Sequence, residues 1–113
     1  MSEQKAPLEI DCRTLKARLD AGEPLVLLDC RERNEDEIVR LDSARLVPMS
    51  ELAERVAELD ELRSAEIVVY CHHGVRSRQV ASWLRGQGFD HVQSLAGGID
   101  RRAEEIDSTL PRY

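Results

Sequence analysis

A chain of 113 residues, 42% hydrophobic and 34% charged, has room for one compact domain and not for two, and its composition excludes a disordered polypeptide. The formal net charge of -6 argues against nucleic acid and against an anionic membrane as partners, and no apolar run approaches the length of a bilayer span. Residues 1–11 lack the apolar core of a signal peptide, and Cys12, Cys30 and Cys71 have no disulfide-like or zinc-like spacing. The expected setting is therefore reducing and cytoplasmic, with no metal and no cofactor called for.

Leu8, Glu9 and Ile10 begin a first strand, and Asp11 caps a helix that carries Cys12, Leu15 and Leu19 on one face. Gly22 and Pro24 end it. Residues 25–30 are apolar on both faces, as a central parallel strand should be. The charged residues 31–40 hold a short helix, and Leu46-Val47 form a brief strand before Pro48. Ser50 is the expected cap of a helix presenting Leu52, Val56 and Leu59. Residues 67–71 are the clearest strand. A turn follows, then a helix with Val80, Trp83 and Leu84 inward that ends near Gly86 or Gly88. Residues 92–95 form the last strand, and Ala96-Gly97-Gly98 turn into a helix near residues 99–106. Strands alternating with helices predict an α/β fold with a central, mostly parallel sheet flanked by helices. Residues 25–30 and 67–71 are its expected inner neighbours.

The chemistry concentrates where the fourth strand stops. Residues 67–89 contain no acid in a chain that has 22, and they hold His72, His73, Arg76, Arg78 and Arg85. Such an island suits a small anion better than a long polymer. Ligands of open parallel sheets bind at the carboxyl ends of the strands, which places Cys71 at that edge. Loop amides and a helix N-terminus converging there stabilise a thiolate, so Cys71 is expected to be reactive, low in pKa and alone among the cysteines in being open to solvent. Arg76 is expected to fold back over the loop. Cys30 and Cys12 read as core packing rather than as a second reactive thiol.

The segment Cys71-His72-His73-Gly74-Val75-Arg76-Ser77 resembles the active-site loop of rhodanese-like sulfurtransferases, C-x-x-G-x-R-S. Asp29-Cys30-Arg31-Glu32 is similar to the family's D-V-R-E signature, Leu95-Ala96-Gly97-Gly98-Ile99 to its L-x-G-G-I turn, and Pro48-Met49-Ser50 to its P-L-S/G. The ending through Leu110-Pro111-Arg112-Tyr113 resembles the rhodanese domains that end molybdopterin-synthase sulfurylase-like proteins. Together the matches imply one rhodanese-like domain over residues 1–113 with its core from about residue 8.

The resemblance implies a ping-pong sulfurtransferase of the thiosulfate:cyanide type. A small anionic donor such as thiosulfate, or a persulfide, loads Cys71, and a thiol or a protein acceptor then takes the sulfur. It implies that the amides of residues 72–77 hold the bound sulfur and that Arg76 orients the loop and binds the donor. Asp29 and Arg31 stand behind them as supporting residues.

The chain departs from that pattern in three places. Val39-Arg40-Leu41-Asp42-Ser43-Ala44 replaces the usual G-H-I-P-G-A, Arg102 stands where the family has an aromatic residue, usually Trp, and His72-His73 is an uncommon loop filling. Two other readings use the same loop. A non-catalytic rhodanese-fold module would present or receive sulfur for a partner. A cysteine phosphatase or arsenate reductase would need the wider C-x5-R cradle, and this chain has C-x4-R.

Overall fold

The computed structural model describes residues 6–113. The expectation that the N-terminus is no signal peptide rests partly on residues 1–5, which lie outside the described residues. Five strands, β1 (Glu9–Ile10), β2 (Leu25–Asp29), β3 (Arg45–Leu46), β4 (Glu66–Tyr70) and β5 (Val92–Leu95), form one parallel sheet in the order β1-β5-β4-β2-β3. The helices are α1 (Cys12–Asp20), α2 (Arg33–Ile38), α3 (Leu52–Arg55), α4 (Val75–Gly86) and α5 (Gly98–Glu105). β2 and β4 are inner neighbours, in register from Leu25 opposite Glu66 to Asp29 opposite Tyr70.

Two-sided apolar strands need a core on each face, and the sheet has both. Leu28, Cys30, Ile67, Val69 and Cys71 face one cluster, completed by Leu52, Leu59, Val80, Leu84 and Phe89. Leu27, Val68 and Tyr70 face the other, completed by Cys12, Leu15, Leu41, Leu95 and Ile99. This is the period-two alternation of a strand buried on both sides.

Asp11 caps α1 as expected, accepting the Thr14 amide at 2.7 Å. Ser50 does not cap the next helix. Pro48 precedes a 3-10 turn over Met49–Glu51, α3 is a single turn, and a second 3-10 stretch runs over Val56–Leu62. The reason is the spacing: Val56, Leu59 and Leu62 all turn inward at intervals of three, the period of a 3-10 helix. The Ser50 hydroxyl donates instead to Glu32 at 2.8 Å. Trp83 is half-buried beside the core rather than wholly within it.

Candidate functional site

β4 ends at Tyr70, and Cys71 is the first residue beyond it. The chain then turns sharply through His72, His73 and Gly74 into α4. Gly74 sits at φ 100°, and a Cβ there would lie 3.0 Å from the Gly97 nitrogen, so both the turn and its close packing require glycine. The turn places two amides on the Cys71 sulfur: Gly74 N–H donates to Sγ at 3.1 Å and Ser77 N–H at 3.3 Å. The Ser77 Oγ is 3.4 Å from Sγ and 2.7 Å from the buried Ser94 Oγ. A thiol donates to Ser77 Oγ. A thiolate accepts from it instead, with Ser94 then donating to Ser77.

This cup favours the anion. The adjacent Cys30 thiol is the largest influence holding Cys71 well below the ordinary thiol value; burial opposes it, and the Ser77 hydroxyl, Ser77 amide and Gly74 amide add to the lowering. The Cys30 thiol is pushed up in turn, first by the neighbouring Cys71 sulfur and then by burial, while its own hydrogen bond goes to the Tyr70 carbonyl at 3.5 Å. The expected direction for Cys71 therefore holds, but its expected exposure does not. Cys71 is 1% exposed, because the loop and the turn after β5 close over it.

That closure comes from the β5–α5 turn. Gly98 has φ 63°, and a Cβ on it would lie 2.5 Å from the Cys71 carbonyl oxygen. The Ile99 and Asp100 amides donate to the carbonyls of Cys71 and His72 at 2.9 and 3.1 Å. The Leu95–Ile99 motif thus clamps the back of the cysteine loop, a role its sequence match carried no sign of.

Arg76 does not fold over the sulfur. Its guanidinium makes two bonds to the Glu35 carboxylate, at 2.6 and 2.8 Å, tying the first turn of α4 to α2. Arg76 first, and then Tyr113, hold the Glu35 carboxyl far below its usual range, to about 2. Nor do the residues of the basic island form one patch. Arg85 lies at the far end of α4, donating to the carbonyls of Val92, Ala6 and Pro7.

Asp29 and Arg31 stand beside this frame, both fully buried. Arg31 Nη2 meets Asp29 at 2.7 Å and the Val39 carbonyl at 2.6 Å, while Nη1 reaches Glu35 O and the Tyr113 hydroxyl. Arg31 therefore pairs with Asp29 and not with Glu32, which closes a capping box on α2. Removing one partner of such a pair strands a buried charge, at a cost of about 3–5 kcal/mol. None of the pair's hydrogen bonds reaches Cys71, and it acts by fixing residues 31–39.

His72 and His73 stack on each other with ring centroids 3.8 Å apart, and Tyr113 stacks on His72 at the same distance. Burial and the His73 charge hold the His72 imidazole below its ordinary value. Val75 points outward, 59% exposed beside the loop. Of the loop residues expected to hold sulfur, Gly74 and Ser77 reach Sγ with their amides, whereas no such bond comes from the amides of His72, His73, Val75 or Arg76. Sequence reading missed Glu35 and Ser94, and it named Gly98 and Tyr113 only within family matches, with no role at the site. Glu35 lies 41 residues from Arg76, so no local signal joins them.

Among known proteins, the rhodanese-like domain model matches residues 11–105. The chain is 36% identical over 103 residues to a probable adenylyltransferase/sulfurtransferase MoeZ of Mycobacterium tuberculosis, covering 89% of this chain and 26% of that protein. It is 31% identical over 109 residues to adenylyltransferase and sulfurtransferase MOCS3-2 of Zea mays, covering 92% and 23%. The chain thus spans about a quarter of the length of these two relatives. Among solved structures, a rhodanese-related protein of Thermoplasma volcanium superposes with a TM-score of 0.78 at 27% identity, covering 88% of this chain and 94% of that one. The human single-domain sulfurtransferase TSTD1 shares the fold, with a TM-score of 0.78 at 23% identity over 88% and 98% of the two chains. On the match over most of its length, this chain belongs to the rhodanese-like domain family.

Proposed function

We propose that this chain is a sulfurtransferase that moves sulfane sulfur through a persulfide on Cys71, in a reducing, cytoplasmic setting. The observation that carries this reading is the cup at Cys71 Sγ, with two amides and one hydroxyl within 3.4 Å of it. Such a cup stabilises an anionic sulfur and supplies the nucleophile that sulfur transfer needs. The names of the MoeZ and MOCS3-2 relatives, both sulfurtransferases, support the same chemistry.

In the proposed cycle the Cys71 thiolate attacks the outer sulfur of thiosulfate, and sulfite leaves with the bonding electrons. The terminal sulfur then passes to cyanide, a thiol or a protein acceptor, and Cys71 returns as thiolate. Arg76 serves this cycle by holding the loop through Glu35 rather than by gripping the donor. The C-x4-R loop and the enclosed sulfur favour a slim, two-coordinate sulfur over a tetrahedral phosphate.

Intact mass spectrometry after incubation with thiosulfate tests the reading. Sulfur derived from the donor should appear on the protein or as released sulfide, dependent on Cys71. Cys71→Ser should give neither, because a hydroxyl is a far weaker nucleophile at neutral pH. Full thiosulfate:cyanide turnover by Cys71→Ser, or robust hydrolysis of phosphate esters by the unmodified chain, would overturn it.

A further inference from the structure

We propose that Cys30 is an internal resolving thiol that attacks the Cys71 persulfide, releases hydrogen sulfide and leaves a Cys30–Cys71 disulfide. The inference rests on Cys71 being the sulfur carrier. It gives the protein a second outcome besides delivery to an outside acceptor.

The sheet register brings the two cysteines together. β2 and β4 run in step up to Asp29 opposite Tyr70, and the Cys30 amide donates to the Tyr70 carbonyl at 3.1 Å, extending the ladder one residue further. Cys30 therefore lies beside Cys71. Neighbouring strands stand about 4.8 Å apart, inside the Cα separation of about 4.4–6.8 Å that disulfides span. Both side chains point to the same face, sharing one cluster with Leu28, Ile67 and Val69. The third cysteine is out of reach. Cys12 belongs to the opposite cluster, where its thiol faces the Ala96 carbonyl at 3.8 Å.

Burial decides which thiol meets the persulfide first. Cys30 is 0% and Cys71 1% exposed and the two share one buried cluster, so Cys30 needs no path in from solvent to meet Cys71. A nucleophile held beside its target acts with an effective concentration of about 10⁵ M or more when well oriented. The same neighbourhood orders the steps. Before loading, the neighbouring Cys71 sulfur and burial together hold the Cys30 thiol in its protonated form. Loading moves the charge one atom outward, onto the terminal sulfur.

The chemistry balances without an outside oxidant. Thiosulfate gives its outer sulfur to Cys71 and leaves as sulfite. Cys30 Sγ then bonds to Cys71 Sγ, the bond from Cys71 Sγ to the terminal sulfur breaks, and its electron pair leaves with that sulfur. The Cys30 proton goes to the same atom, which departs as hydrosulfide and takes a second proton from water to become hydrogen sulfide. The sulfane sulfur is reduced to sulfide and the two thiols are oxidised to the disulfide. A dithiol reductant resets the pair. By resemblance the family has Val where this chain has Cys30, so the device belongs to this chain and not to the shared pattern.

The test uses the full chain, reduced and then freed of reductant, given thiosulfate with no other thiol present. Sulfide is trapped, and protein mass is read intact and after digestion. The unmodified chain should release one sulfide per chain, become lighter by two hydrogens and yield a Cys30–Cys71 linked peptide. Cys30→Val and Cys30→Ser should release none and instead keep one added sulfur on Cys71. If the unmodified chain holds its added sulfur as durably as Cys30→Val, the resolving role is overturned and the carrier role stands. If no chain gains sulfur and none releases sulfide, both are overturned.

Discussion

At the scale of single residues, the site depends on what surrounds one sulfur atom. Cys71 Sγ has hydrogen-bond donors around it and no carboxylate bonded to it, so the charged form is favoured despite burial. Its folded value lies well below the ordinary thiol range. Alkylation by iodoacetamide should therefore already be close to its plateau at neutral pH and fall only in the acid range. In Ser77→Ala, which removes the hydroxyl 3.4 Å from Sγ, the inflection should move toward higher pH. An unmodified chain whose alkylation still climbs steeply around pH 8–9, where a free thiol titrates, would refute the cup as an anion site. Cys12 and Cys30, with values raised chiefly by burial in the first case and by Cys71 in the second, should react far more slowly.

At the scale of elements, the loop is held from two sides. The turn before α5 binds its backbone, and α2 binds the start of α4 through Glu35 and Arg76. α2 is itself tied to the 3-10 turn after β3 by Arg33 with Glu51 and by Ser50 with Glu32. The Glu35 carboxyl is depressed from 4.5 to about 2 in the folded protein. A depressed acid contributes stability that is complete above its unfolded value and is lost as pH falls through its folded one. Urea unfolding should thus show about 1–2 kcal/mol lost between roughly pH 5 and pH 2, allowing for the partial exposure of Arg76. Glu35→Gln should be less stable at pH 7 and should lack that part of the acid dependence. An unchanged acid limb in Glu35→Gln would remove the pair from the account of the loop.

On the scale of the whole molecule, the chemistry and a cavity occupy separate regions. The departures at residues 39–44 and at Arg102 meet in a cavity lined by Leu19, Leu25, Leu27, Arg40, Ser43 and Arg102, among others. Ser43 has φ 65° there, and Arg102 Nη1 is buried with no hydrogen-bond partner. An unpaired buried donor costs about 1–3 kcal/mol. Arg102→Trp removes that donor and fills part of the cavity against Leu19, Leu25 and Leu27, so it should raise unfolding stability by about 1–2 kcal/mol. Sulfur transfer should be unchanged, since the lining leucines belong to the core cluster on the other face of the sheet from Cys71. A loss of stability in Arg102→Trp would mean that the guanidinium, not the void, supports the packing of α5.

The sequence by itself determined the elements that depend on local pattern. The two-sided apolar runs could only be inner strands of a covered sheet, Asp11 could only start α1, and a strand stopping at Cys71 before Gly74 and a helix pointed to the anion cup. The mixed 3-10 and α segment was legible only as one helix, because Leu52, Val56 and Leu59 fit a helical face until Leu62 sets the three-residue period. Tertiary structure decided everything that joins distant residues. It turned Arg76 to Glu35, closed Gly98 over the Cys71 carbonyl, buried the sulfur and set Cys30 beside it. The physical reason is that spacing along a chain fixes period and caps, whereas an ion pair or a buried neighbour depends on which strands lie adjacent, and that is a property of the assembled sheet.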